Sequence, residues 1–369
     1  MPSAIELVES LSPWPKDGFG LGRIKALLAE LGGPQLEYPS IHVVGTNGKS
    51  TVTRTTEELL SQAGQAVGAY LSPHVRGWSE RIRVRGAEAD FAAAVERVRG
   101  PAERLGVTQF ELLTAAALAE FAVADVDVAV VEAGLGGRHD ATNVLRSSVQ
   151  VLTNVSLEHT EVLGTTREAI AAEKLAVVQP GSTVVVGEPE WETPAREHGA
   201  AAVVVAGRSN LALALAAAEA FLGRPVDGHV DVRLPGRLER VSDDPLEIWD
   251  GAHNLSGVGY VLARLPSARY VILASILADK DVEGMVAALS ALGPRLIATT
   301  SSSNRALSAA DLADRAARYF EKVEAVDDPA EALARGRALG EPLLVTGSLY
   351  LLADLAKDES VRWRTLATS

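Results

Sequence analysis

The segment HVVGTNGKST at residues 42–51 combines the residue types that a bound triphosphate requires. Gly45 and Gly48 allow the backbone to turn with positive φ and to approach phosphate closely, while the N–H groups of Thr46, Asn47 and the following helix start supply oriented positive potential. Lys49 is placed to meet the outer phosphates, and the hydroxyls of Ser50 or Thr51 to ligate magnesium. The position five residues before Gly48 is Val43, so the spacing is the shorter G-x-x-G-K-S-T; the plain alternative is a glycine turn capping a helix. A second candidate is Glu132, a carboxylate that follows a run of mainly apolar strand residues. Simple burial there would be costly, and ligands of α/β sheets gather at the carboxyl ends of strands; a hydrogen-bonded structural carboxylate is the alternative. Arg81, Arg83 and Arg85 alternate with Ile82 and Val84, so as a strand they would present three cations on one face. Such a face could steer an anionic substrate, or it could simply be solvated.

Elements of two periodicities must position these groups. Apolar residues at helical spacing (Leu21, Ile24, Leu28, Leu31) precede Gly32-Gly33 and predict a helix over 19–31. A short strand over 41–44 then feeds the glycine turn and a helix over 49–63. Further strands are expected near 67–70, 126–131, 149–152 and 183–186, with helices near 89–105, 111–123, 167–177 and 210–222. The strands are continuous apolar runs, as in parallel sheets buried on both faces. Residues 223–239, GRPVDGHVDVRLPGRLE, read as a linker. A second series follows, with strands near 246–249, 270–273, 296–299, 322–325 and 342–346 and helices near 256–265, 282–292, 308–320 and 329–339. The expectation is α/β throughout: an ATP-binding domain over 1–235 and a smaller Rossmann-like domain over 236–369.

The formal charge of -13 argues against broad contact with nucleic acid or an anionic membrane surface, so an anionic ligand must be held by local groups and a divalent metal. No cysteine is present, which removes disulfides, thiolate metal sites and cysteine nucleophiles. No apolar run has the length of a membrane span and the N-terminus has no basic leader or apolar signal core, so a cytoplasmic location is expected.

Beyond the loop, strings along nearly the whole chain resemble the Mur ligase superfamily, and within it the folylpolyglutamate synthase/dihydrofolate synthase family. They are LGRIKALLAELGGPQ (21–35), LSPHVRGWSERI (71–82), TQFELLT (108–114), VVEAGLGGRHDATNV (130–144), SLEHTEVLG (156–164), AAEKLAVVQPG (171–181), LPGRLE (234–239), WDGAHN (249–254), ADKD (278–281) and TGSLYL (346–351). The resemblance implies a Mur ligase-like P-loop ATPase domain followed by the Rossmann-like domain. It also implies a reaction in which ATP phosphorylates a substrate carboxylate and the amine of L-glutamate displaces phosphate. Phosphorylation makes a poor electrophile reactive, so catalysis is chiefly positioning and charge neutralisation. The implied partners are ATP, L-glutamate and a reduced folate or dihydropteroate, with a pair of magnesium ions; a monomer is expected.

By the same resemblance, Ser72, Glu132 and His159 match metal-associated positions, with Ser50 beside them, and Lys174 matches a lysine that is carbamylated to support the second ion. From the residues alone Lys174 reads as a solvated helical lysine paired with a carboxylate. Asn210 resembles an adenine-side contact, Arg237 a linker arginine approaching ATP, and Asp250 and His253 residues that meet nucleotide and phosphate. Pro73, His74, Arg81 and Arg83 fall in a region bordering the folate. The chain departs from the family at Glu158, where Asp commonly precedes the histidine, and at Leu255, where proline is usual.

Two other classes fit less well. For a nicotinamide-dependent oxidoreductase, Gly134-Leu135-Gly136-Gly137 would need its third glycine where His139 stands. A non-catalytic nucleotide switch gives no reason for Ser72, Glu132 and His159 to accompany the loop. A peptidoglycan-precursor Mur enzyme shares the reaction, but only about 40 residues precede the loop, too few for an additional substrate domain.

Overall fold

The computed structural model describes residues 2–15, 18–228 and 230–357, which divide into two compact units. One comprises residues up to His74 together with Trp78–Val232; the other comprises Val75–Gly77 and the residues from Arg233 onward.

The first unit carries strands β1 (Ser40–Val44), β2 (Val67–Tyr70), β3 (Ile82–Val84), β4 (Ala87–Glu88), β5 (Val128–Glu132), β6 (Val149–Leu152), β7 (Thr183–Val186) and β8 (Ala202–Val205). Its helices are α1 (Ala4–Ser10), α2 (Gly22–Glu30), α3 (Lys49–Gln62), α4 (Phe91–Leu105), α5 (Gln109–Val123), α6 (Thr160–Leu163), α7 (Arg167–Leu175), α8 (Glu192–Glu197) and α9 (Asn210–Leu222). The strands form one sheet in the order β4-β3-β2-β5-β1-β6-β7-β8. From β2 to β8 every pair is parallel; β3 and β4 add an antiparallel edge. Valine and isoleucine dominate β1, β5 and β6 because both sheet faces are covered. Leu112, Leu113 and Phe121 of α5 and Val95 and Val98 of α4 lie in the core on one face. Val52, Leu59 and Leu60 of α3 and Leu213, Ala214 and Ala217 of α9 share another core with β1, β5 and β6. Gly68 is needed in β2 because a Cβ there would come within 2.9 Å of the Phe121 ring.

Strand β1 lies between β5 and β6, and the chain leaves it through α3 toward β2 while β6, β7 and β8 extend the sheet the other way. The carboxyl end of β1 is therefore a switch point, where open α/β sheets bind ligands. Val43 is registered against Glu132 and Val44 against Leu152, which brings the ends of β5 and β6 beside the loop leaving β1.

The second unit holds β9 (Glu239–Asp243), β10 (Leu246–Trp249), β11 (Val271–Ala274), β12 (Arg295–Ala298), β13 (Lys322–Ala325) and β14 (Leu343–Thr346). Between and after them run α10 (Leu255–Leu262), α11 (Val282–Leu289), α12 (Ala309–Ala316), α13 (Pro329–Ala338) and α14 (Leu349–Lys357). The sheet order is β13-β12-β11-β14-β10-β9, parallel except for β9. Met285, Val286 and Leu312 cover one face, and Leu333, Leu351 and Leu352 belong to the core on the other. The α/β expectation agrees with both sheets. No helix among the described residues is long and apolar enough to cross a membrane.

Candidate active site

Residues 45–48 turn between the buried end of β1 and the first turn of α3, with Gly45 at φ 147° and Gly48 at φ 83°. The turn is held mainly from β6. Thr46 N–H donates to Asn154 O (3.0 Å), Asn47 N–H to Asn154 Oδ1 (3.0 Å), and Asn154 Nδ2 and Thr153 Oγ1 donate to Asn47 O (2.9 and 2.7 Å). Ser156 N–H donates to Thr46 Oγ1 at 3.1 Å. These bonds fix the loop to residues 153–156, so its remaining N–H groups are oriented before any anion arrives. Asn210, the first residue of α9, packs its side chain on Gly48, where an added Cβ would lie 2.6 Å from the Asn210 amide oxygen. Two helix N-termini thus meet at the loop.

Lys49 Nζ donates to Gly45 O (3.2 Å) and Thr46 O (3.3 Å), and Lys174 Nζ, from the last turn of α7, donates to Gly45 O at 2.9 Å. Lys174 is only 3% exposed. Burial, reinforced by the Lys49 charge and opposed by Glu158, Asp140 and Glu173, pulls its pKa down to about 7. The solvated-lysine reading from the residues alone does not hold: this amine is internal and half neutral near neutrality.

Glu132 ends β5 and is 1% exposed. Its Oε1 accepts the Ser50 hydroxyl at 2.9 Å and its Oε2 the Ser72 N–H at 3.1 Å, so the structure gathers Ser50, Ser72 and Glu132 in one place. His159 stands apart from these bonds. It adopts a left-handed conformation (φ 49°) as the cap of α6, with its imidazole 3.5 Å from Glu158. Among the described residues no three His, Cys, Asp or Glu side chains cluster as a metal nest. The hydroxyl of Ser50 and the carboxylate of Glu132 are nevertheless hard oxygen donors that fit magnesium or manganese. With so few protein ligands, nucleotide phosphate and water must complete the shell.

The expected face of three arginines does not form. Arg81 closes a 3-10 turn (Trp78–Arg81) and donates Nε to His74 Nδ1 at 3.0 Å, with its guanidinium 4.9 Å from the Trp78 ring centre. Arg83 bonds Glu57 at 3.3 Å and Gly86 O, and Arg85, at φ 51°, bonds Ala124 O and Asp125 O. The strand is three residues long, so alternation cannot carry through all three positions. Arg81 joins His74, which follows Pro73 and lies tilted against Trp78 with ring centres 4.3 Å apart; Arg83 instead ties β3 to α3.

Several polar residues escaped sequence reading. His42, buried in β1, places Nε2 2.8 Å from Thr142 Oγ1, and that hydroxyl donates to Asp140 Oδ1 at 2.5 Å. Asp140 also accepts the N–H groups of Leu135 and Thr142, and burial outweighs these bonds in raising its pKa. Burial alone holds the His42 imidazole down at about 3. Asn154 and Thr153 had a signal, polar residues at a strand's carboxyl end, whereas His42 inside an apolar strand had none.

In the second unit Asp250 follows β10, and its carboxylate accepts Leu238 N–H and Ala252 N–H, each at 2.8 Å. Burial pushes its pKa up, against the pull of Arg237. His253 Nδ1 lies 3.0 Å from Gly251 O; a carbonyl can only accept, so Nδ1 carries the proton. Arg237 Nη1 donates to Gly236 O at 3.3 Å, and a Cβ on Gly251 would come within 2.9 Å of the same Nη1. Arg237, Asp250 and His253 thus share one loop cluster at the carboxyl end of β10.

Comparison with known proteins matches residues 43–220 to the Mur ligase middle domain and residues 236–349 to the Mur ligase, glutamate ligase domain. The dihydrofolate synthase/folylpolyglutamate synthase of Escherichia coli is 33% identical, over 90% of each chain. The structure of E. coli FolC in complex with DHPP and ADP superposes with a TM-score of 0.86 at 30% identity, covering 96% of this chain and 97% of that one. A bifunctional folylpolyglutamate synthase/dihydrofolate synthase with Mn, AMPPNP and L-glutamate bound gives a TM-score of 0.84 at 30% identity, covering 95% and 98%.

Proposed function

Since the chain belongs to the dihydrofolate synthase/folylpolyglutamate synthase family of Mur ligases, we infer that its phosphate loop holds ATP for an ADP-forming amide ligation. The enzyme adds L-glutamate to the carboxylate of a folate. The observation that carries this reading is the convergence on one turn of Lys49, the amine of Lys174 and the Ser50–Glu132 pair, at the switch point of the sheet. That is where a γ-phosphoryl group needs cations and ligated oxygens.

Residues 45–51 would seat the phosphates on backbone N–H groups, with Lys49 turning from Gly45 O and Thr46 O to the outer phosphates. Ser50 and Glu132 would hold a divalent ion, proposed as Mg2+, with His159 and Ser72 in its surroundings. When bound, the ion supplies charge neutralisation at the transferred phosphoryl oxygens. Lys174, whose amine is substantially neutral near pH 7, is suited to carbamylation, which would turn it into an anionic support for a second ion. Asn210 is proposed on the adenine side. Arg237 is proposed to approach ATP, and Asp250 and His253 to meet nucleotide and phosphate, with His253 Nδ1 tethered to Gly251 O. Exclusion of water would protect the acyl phosphate from hydrolysis before the glutamate amine attacks. Arg81, bonded to His74, is the cation best suited to a folate's anionic tail. We also propose that dihydropteroate is an acceptor and that the enzyme works as a cytoplasmic monomer.

ATP hydrolysis by the purified protein with L-glutamate, and either dihydropteroate or a reduced folate, tests the reading. Stimulation by both acceptors is expected. Stimulation by UDP-linked muropeptides instead would move the chain to the cell-wall branch.

A further inference from the structure

Glu188, just after β7, is a carboxylate with 4% of its side chain exposed, and its hydrogen bonds go to Val155, Arg167, Trp191 and Arg208 and not to the phosphate loop. Its Oε2 accepts the Val155 N–H (3.1 Å), Arg167 Nη2 (2.9 Å) and Trp191 Nε1 (2.7 Å), and its Oε1 lies 2.7 Å from Arg208 Nη2. Arg167 adds a bond from Nε to Val155 O (2.9 Å), pairs with Glu190 and lies 5.2 Å from the Trp191 ring centre. Apart from the neighbouring Trp191, the segments that Glu188 grips lead to the loop. Val155 sits between Asn154 and Ser156, which clamp Thr46 and Asn47. Arg167 opens α7, whose other end delivers Lys174 to Gly45 O. Arg208 is two residues from Asn210, packed on Gly48. A buried carboxylate flanked by two guanidinium groups and two N–H donors is expensive to disturb, which makes it an effective common anchor.

We propose that Glu188 is a positioning residue for nucleotide binding: it fixes the mutual placement of the 153–156 clamp, α7 and the start of α9, and thereby the shape of the phosphate loop. The proposal rests on the reading of that loop as the ATP site. Glu188→Gln is close to isosteric but puts an amide N–H2 among groups that all donate, so the three segments should loosen together while the sheet persists. The dissociation constant of a nonhydrolysable ATP analogue, measured by calorimetry, should rise about tenfold, as should the KM for ATP. The KM for L-glutamate should stay within about twofold, because Glu188 bears only on the nucleotide loop; loss of properly folded enzyme would instead lower kcat without changing any KM. Lys49→Ala is measured alongside. If Glu188→Gln binds the analogue like the parent while Lys49→Ala does not, Glu188 has no positioning role; if Lys49→Ala also binds normally, the reading of the loop itself falls. Should Glu188→Gln fail to fold, Arg167→Lys, which keeps the charge but not the paired bonds to Val155 O and Glu188, is expected to raise the ATP KM about threefold. An unchanged ATP KM there, with only kcat reduced, overturns the proposal.

Discussion

Replacing Gly45 by alanine tests how rigidly the loop is clamped to β6. An alanine Cβ would overlap Thr153 Oγ1 and lie 3.1 Å from both Cβ and N of Thr153, at a φ of 147° that L side chains avoid. Thr153 cannot swing aside freely. It is β-branched, and rotation would break its bond to Asn47 O (2.7 Å), while its N–H is committed to Val44 O at 3.0 Å. The backbone conformation and the overpacking each cost about 1–3 kcal/mol, so Gly45→Ala should lose several kcal/mol in all. ATP affinity should fall at least about tenfold, since the displaced atoms orient Asn47 and the loop N–H groups. Thr153→Ala alone removes a hydrogen bond worth about 1 kcal/mol, and in the double variant the overlapping oxygen is gone. The double variant should therefore be more stable than the two single effects predict, by about 1 kcal/mol or more. Denaturant unfolding of the four proteins followed by circular dichroism, with analogue titration of each, gives the cycle. Effects that add within about 0.3 kcal/mol, or a Gly45→Ala protein that binds nucleotide normally, would refute the clamp.

Lys49→Ala should cut turnover at least about a hundredfold with the melting temperature unchanged; turnover near that of the parent would contradict the site. Glu132→Ala should raise the magnesium concentration needed for half-maximal rate or abolish activity, and an unchanged magnesium titration would remove Glu132 from the metal site. In carbonate-free buffer, Lys174 titrates at about 7 in the folded protein against 10.5 for an ordinary lysine. Between these values the unfolded chain holds the extra proton, so stability should rise with pH across that window, by up to about 1.4 kcal/mol per pH unit. Lys174→Met should flatten the rise, and parallel pH curves for the two proteins would count against a neutral buried amine.

The parallel sheets were legible because burial on both faces leaves largely apolar strands, and β2, β6, β7 and β10 run over the residues expected of them. The turn after β1 was legible because glycine, lysine and hydroxyl residues in sequence have few other uses. What stayed hidden depended on tertiary partners. Strand β8 was missed although Ala202–Val205, AVVV, is as apolar a run as the inner strands carry, and β9 because ERVSD has no apolar run to declare it. The arginine alternation at 81–85 misled for a local reason: a 3-10 turn precedes Ile82 and a left-handed residue follows Val84, so the period of two lasts only three residues. Glu188 looked like one acidic residue in a loop. Its role comes from Val155, Arg167 and Arg208, which only folding assembles around it.

The chain from His42 through Thr142 to Asp140 leaves no hydrogen to choose. Asp140 is surrounded by donors, so the Thr142 hydroxyl must give it its proton and has only lone pairs to turn toward His42. The imidazole therefore carries its single hydrogen on Nε2, and with a pKa near 3 it keeps that tautomer at any pH the enzyme meets. Beneath a site in which the Lys174 amine changes charge at about 7, this ring is electrically silent. Its Nε2–H should appear as one slowly exchanging, pH-independent resonance, an internal reference for the titrations occurring above it.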